Sequence, residues 1–190
     1  GCAYDRKTKL GPVVTAEHKR FICDWIQKGI DEGAEVVLDG RNCVVPNYEN
    51  GFFVGPTILD HVKPGMEVGE REIFGPVTII KRVKDFDEGI AIMNANPFAN
   101  GSAIFTQNGY YARQFEFLTD GGMVGINVGI PVPSAYFPFS GNKDSFFGDQ
   151  HVLGIDGVRF YTRAKTVTKH WFDEHSRQIA VSTWEGTVER

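Results

Sequence analysis

The segment Arg71-Glu72-Ile73-Phe74-Gly75-Pro76 places a carboxylate two residues before an aromatic ring and closes on two turn-forming residues. A carboxylate at the mouth of a strand can accept two hydrogen bonds from a ribose diol, the pairing used by acidic residues at dinucleotide sites. An aromatic ring two positions on can cover a flat ring, and Gly-Pro fixes the turn that presents both. Taken alone, Glu72 fits an ordinary surface turn better than a ligand site, because one short motif carries little specificity.

Other chemistries find less support. The histidines His18, His61, His151, His170 and His175 form no pair with another His or Cys at metal-ligand spacing. They read as isolated or hydrogen-bonded side chains, and no metal site is expected. Gly121, Gly122, Gly125 and Gly129 cluster without forming G-x-G-x-x-G. They are followed by Ile130-Pro131-Val132-Pro133, which cannot open the helix a pyrophosphate needs. There is no Walker-type loop and no G-x-S-x-G elbow. Cys23 lies beside an apolar helical stripe, Cys43 in a predicted strand, and Cys2 near a chain end. None has a setting that would stabilise a thiolate, so no catalytic nucleophile is assigned.

The elements that must position Glu72 alternate between helical and strand-like patterns, which predicts an α/β layer structure. Thr15 caps a helix running to about Glu32, with Phe21, Ile22, Trp25, Ile26 and Ile30 at helical spacing. Strands are expected at Ala34 to Leu38, at Cys43-Val44-Val45, over Phe52 to Leu59 with an interruption at Pro56, and over Val77 to Val83. Asp85 caps the next helix, with Glu88 in the capping-box position, and Asn96-Pro97 ends it. Gly101 to Thr106 reads as a strand, Asn108 to Leu118 as a helix, and Met123 to Val128 as a strand. Gly129 to Gly148 is an aperiodic Pro, Phe, Ser and Gly loop, long enough to suggest a functional role. Val158 to Trp171 returns to β-forming residues, and a polar stretch, Asp173 to Arg190, follows.

A chain of 190 residues suffices for one domain with a real core, and 42% hydrophobic with 23% charged residues excludes disorder as the main state. The net charge of -4 comes with scattered Lys and Arg, so no nucleic-acid partner is expected. No apolar run approaches the ~18 residues of a membrane span, and Gly1 to Lys9 contains no secretory apolar region. Three cysteines without framework spacing fit a reducing compartment.

The Glu72 motif has ordered neighbours. Leu10-Gly11-Pro12-Val13-Val14-Thr15, Gly51-Phe52-Phe53-Val54-Gly55-Pro56-Thr57-Ile58 and Glu72-Ile73-Phe74-Gly75-Pro76-Val77 resemble, in order and spacing, segments of the aldehyde dehydrogenase superfamily. So do Asn96-Pro97-Phe98-Ala99-Asn100-Gly101, Gly125-Ile126-Asn127-Val128 and Tyr161-Thr162-Arg163-Ala164-Lys165-Thr166-Val167. The match runs from Lys9 to about Phe172. Pro131-Val132-Pro133 and Phe139-Ser140-Gly141-Asn142-Lys143-Asp144-Ser145-Phe146-Phe147-Gly148-Asp149 resemble the CoA-acylating methylmalonate-semialdehyde dehydrogenase branch.

The resemblance implies the C-terminal portion of a catalytic domain: an open, twisted, mostly parallel sheet with flanking helices, plus a C-terminal oligomerisation strand. Residues 1–160 would be partial catalytic domain, 161–172 the strand and 173–190 a tail. It implies Glu72 at the ribose of NAD, Phe74 against the nicotinamide and Phe139 on the wall of the substrate funnel. The parent enzyme would oxidise methylmalonate or malonate semialdehyde through a thioacyl intermediate and pass the acyl group to coenzyme A. The nucleophilic cysteine, the oxyanion-binding Asn and the cofactor domain would lie upstream of Gly1, so this chain alone is expected to be inactive. A homo-oligomer is implied, with a cytoplasmic location, or the mitochondrial matrix if a targeting segment precedes residue 1. Two alternatives stand beside this reading: a related dehydrogenase for another aldehyde, and a non-catalytic assembly module from a split or truncated gene.

Overall fold

The computed structural model describes residues 1–171 together with 182–183 and 186–187. Helix α1 spans Ala16–Asp31. The Thr15 hydroxyl accepts from the His18 amide at 3.0 Å, which satisfies one of the donors a helix start leaves open. Its apolar stripe is buried at Ile22 and Ile26, both fully inaccessible.

Three short strands lie against that stripe. Strand β1 (Glu35–Leu38) pairs antiparallel with β2 (Thr57–Asp60), and β2 pairs parallel with β3 (Val77–Ile79). Ile22, Ile26, Val54, Leu59, Val62, Val68 and Ile73 belong to one core cluster. A 3₁₀ turn at Glu67–Gly69 closes its lower end, held by the Glu32 carboxylate accepting from the amides of Glu67 and Val68.

The expected strand at Cys43-Val44-Val45 does not form; those residues lie in turns and irregular backbone between β1 and β2. The reason is the close backbone crossing beside it. A Cβ on Gly40 would stand 1.9 Å from the Gly55 carbonyl oxygen, and the Gly55 amide donates to the Gly40 carbonyl at 2.8 Å. This contact leaves Val44 70% exposed, without the partner that β-formers need to become a strand. The extended run from Phe52 narrows likewise to β2 alone.

Helix α2 (Phe86–Asn94) begins as predicted. The Asp85 carboxylate accepts from the Glu88 amide, and the Glu88 carboxylate reaches back to the Lys84 amide. Strand β4 (Phe98–Ala99), strand β5 (Gly101–Ile104), helix α3 (Gly109–Leu118) and strand β6 (Met123–Ile126) follow. Strands β5 and β6 run parallel across α3. Parallel pairs therefore recur at β2/β3 and β5/β6. They belong to separate small sheets, however, and among the described residues these do not join into the single open sheet that the resemblance implies.

The long loop after Gly129 is anchored at its far end. Strand β7 (Asn142–Lys143) pairs antiparallel with β4, and Phe139 bridges to Val152. Lys143 is held by the Asp120 carboxylate at 2.6 Å and by the carbonyls of Asn94 and Asn96.

The β-forming stretch from Val158 to Trp171 divides in two, and the expectation is corrected for Val158 to Tyr161. Residues from Gly154 to Tyr161 form helix α4, opened by Leu153 in a left-handed conformation. Residues 162–171 carry no strand assignment and are exposed throughout. β-Branched and aromatic residues form strands where a neighbouring strand pairs with them, and among the described residues none does so there. Phe172 and most of the tail lie outside the described residues, apart from the hairpin of β8 (Ser182–Thr183) with β9 (Gly186–Thr187).

Candidate functional site

The Glu72–Pro76 segment connects the 3₁₀ turn to β3 and lies against the start of α1. Ile73 points inward, 8% exposed, and joins the core. Its neighbours point the other way: Glu72 is exposed and Phe74 is 76% exposed. Ile73 is drawn into the core while the residues on either side of it stay at the surface, the chain turning at Phe74, where φ is +54°. Gly75 follows with room for no side chain, since a Cβ there would lie 2.8 Å from Ile22. Pro76 hands the chain to the sheet, its carbonyl accepting from the Thr57 amide at 2.8 Å.

Glu72 and Phe74 line one groove of about 510 Å³, whose opposite wall is Val14, Thr15, His18 and Phe21 from the start of α1. The structure thus brings together the two residues expected at a cofactor. A carboxylate at the rim and an accessible ring beside it fit a diol next to a flat heterocycle. The groove is also the place where Leu10–Thr15 and Glu72–Pro76, far apart in sequence, meet. The Val13 amide donates to the Phe52 carbonyl at 2.9 Å, which ties the third landmark to the same wall.

Glu72 also borders a second, more polar cavity of about 480 Å³ that includes Arg71, Asn96, Asn100, Asp144 and Ser145. Ser145 is fixed there by accepting the Ala99 amide at 3.0 Å. The long loop therefore approaches Glu72 through Asp144 and Ser145. Phe139 stands apart, half-buried, with its amide donating to the Val152 carbonyl at 2.8 Å. It lines neither of the two cavities beside Glu72.

Sequence reasoning missed His18. Its Nε2 lies 2.8 Å from the Phe74 carbonyl oxygen, 56 positions along the chain. The one local signal was its place three residues after the helix-capping Thr15, on the face toward the groove. The cysteines divide: Cys23 fits the expectation of an unactivated thiol, and Cys2 departs from it. Burial pushes the Cys23 thiol up from its ordinary pKa. Cys2 is drawn down chiefly by its hydrogen bond with the Tyr48 side chain, far from Glu72 in sequence and outside both cavities. Among the described residues no group of His, Cys, Asp and Glu is arranged to hold a metal ion.

The aldehyde dehydrogenase family model matches residues 1–167. Malonate-semialdehyde dehydrogenase 1 of Bacillus licheniformis is 50% identical over 163 residues, covering 86% of this chain and 33% of that protein. The acylating, mitochondrial methylmalonate-semialdehyde dehydrogenase of Arabidopsis thaliana is 50% identical over 172 residues, 90% of this chain and 28% of that protein. A Sinorhizobium meliloti protein assigned as a methylmalonate-semialdehyde dehydrogenase, crystallised with NAD, superposes with a TM-score of 0.87 at 43% identity, covering 90% of this chain and 35% of that one. The chain thus spans about a third of the length of the curated relatives it matches. With six ordered sequence landmarks, a shared fold and a match over residues 1–167, the chain belongs to the aldehyde dehydrogenase family.

Proposed function

We propose that this chain is the part of an NAD-dependent, CoA-acylating semialdehyde dehydrogenase that positions the nicotinamide end of the cofactor. The observation that carries the reading is the shared groove of Glu72 and Phe74, in a chain about half identical to relatives named for malonate and methylmalonate semialdehyde. The Glu72 carboxylate would accept from the two ribose hydroxyls, and the exposed Phe74 ring would lie against the nicotinamide. When bound, NAD supplies the hydride acceptor for aldehyde oxidation.

The chain's own contribution is orientation. A carboxylate anchored through the buried Ile73 fixes the ribose, and a fixed ribose limits the rotation of the attached ring. The nucleophilic thiolate and the oxyanion donors belong to the rest of the enzyme, as does the transfer of the acyl group to coenzyme A. Phe139, held by its bridge to Val152, would shape the approach of the aldehyde, and the exposed residues 162–171 would pair with a sheet edge of another subunit. Three free cysteines suit a reducing compartment such as the cytoplasm or mitochondrial matrix.

The test is Glu72→Gln in the full-length enzyme. Single-turnover hydride transfer should slow by about tenfold or more, with aldehyde binding little changed, because the lost interaction orients the reacting ring. A transfer rate equal to wild type would overturn the role of Glu72.

A further inference from the structure

Phe74 is not glycine, yet its φ is +54°. A bulky residue in the left-handed region is strained and persists only where surrounding contacts impose it. Three contacts impose it here. Ile73 is buried on one side, Gly75 is pressed on Ile22 on the other, and the peptide between them is gripped by His18. A carbonyl oxygen has no proton to give, so His18 donates through Nε2–H to Phe74 across 2.8 Å. The imidazole is itself oriented, stacking on Phe21 with centroids 5.7 Å apart and planes 16° from parallel. Phe21 in turn meets Trp25 edge-on at 6.0 Å.

We propose that His18 is a positioning residue for the cofactor ring: it holds the Phe74 peptide in its left-handed turn and so keeps the Phe74 side chain facing the groove. His18 acts through the backbone of Phe74, not by touching the reacting atoms. Without the donor, the Phe74 carbonyl loses its partner and the peptide can relax toward an ordinary φ. That relaxation would redirect the ring while leaving Ile73 in the core. Position 18 thereby couples the first turn of α1 to the geometry of the loop before β3. The inference rests on reading the groove as the nicotinamide site.

The experiment uses the full-length enzyme with His18→Ala and His18→Gln, the second retaining an N–H donor of similar reach. Amide hydrogen exchange over residues 72–77, hydride-transfer rate and NAD affinity by tryptophan fluorescence are measured for each. His18→Ala should speed exchange in that segment by roughly tenfold, the equivalent of one hydrogen bond. It should lower the hydride-transfer rate by a similar factor while changing NAD affinity less. His18→Gln should restore both to within about threefold, since the donor is retained. The proposal is overturned if His18→Ala leaves exchange unchanged, if it loosens the segment without slowing hydride transfer, or if Gln fails as fully as Ala. If the wild-type enzyme binds no NAD, the functional reading falls first, and the exchange data still decide whether His18 holds the Phe74 peptide.

Discussion

Gly75 passes so close to Ile22 that a side chain on it would have no space: the nearest Ile22 carbon atoms lie 2.8 Å from where a Cβ would be. Ile22 is fully buried in α1 and cannot give way without disturbing the core. Gly75→Ala in the full-length enzyme should therefore cost about 1–3 kcal/mol, the usual range for overpacking a filled site. Thermal melting and cofactor titration are expected to show a lower Tm and a weakened NAD site together. An unchanged Tm would mean that the segment moves away freely.

Asp60 predicts an acid sensitivity. It ends β2, is almost inaccessible, and accepts two hydrogen bonds from the Arg82 guanidinium, with Nε at 3.1 Å and Nη2 at 2.5 Å. Arg82, and then the His61 amide, hold its carboxyl below the usual carboxylate range. A depressed folded-state pKa stabilises above the unfolded value of about 3.9 and is lost as pH falls through the folded value. Arg82→Met removes the main cause, so the Asp60 pKa rises back. Melting curves of wild type and Arg82→Met should differ at neutral pH and converge as pH falls through the depressed folded-state pKa of Asp60. Parallel curves across that range would show that the pair contributes nothing.

Helices α1, α2 and α3 and their starts were legible because their chemistry is local, whereas α4 has no side-chain cap to announce it. Thr15, Asp85 and Asn108 each accept a hydrogen bond from an amide two or three residues ahead, and each stands where the sequence predicted a helix to begin. Cys43–Val45 misled because a strand is a relation between segments: its residue types favour β structure, but among the described residues no segment pairs with it. At the site, Glu72 and Phe74 stood out through an ordered series of landmarks. His18 did not, since its partner lies 56 positions away and its side chain says nothing of which carbonyl it will meet.

Lys143 tests the anchoring of the long loop. Its ammonium joins the Asp120 carboxylate at 2.6 Å and caps the carbonyls of Asn94 and Asn96 at the end of α2. The group is partly exposed, which discounts the ion pair, and its removal should cost about 1–2 kcal/mol. Lys143→Met is expected to raise hydrogen exchange in β4 and β7 and to speed proteolysis between Gly129 and Gly148. Unaltered protection in β4 would place the anchor elsewhere, in the Asn142 amide that donates to the Asp120 carbonyl.

Glu72 borders both cavities described above, one beneath Phe74 and one toward Asn96 and Ser145. A single side chain is thus a partition between two rooms. The segment that carries it is held at the buried Ile73, so an isoleucine with no chemistry of its own sets where the two cavities meet their shared carboxylate.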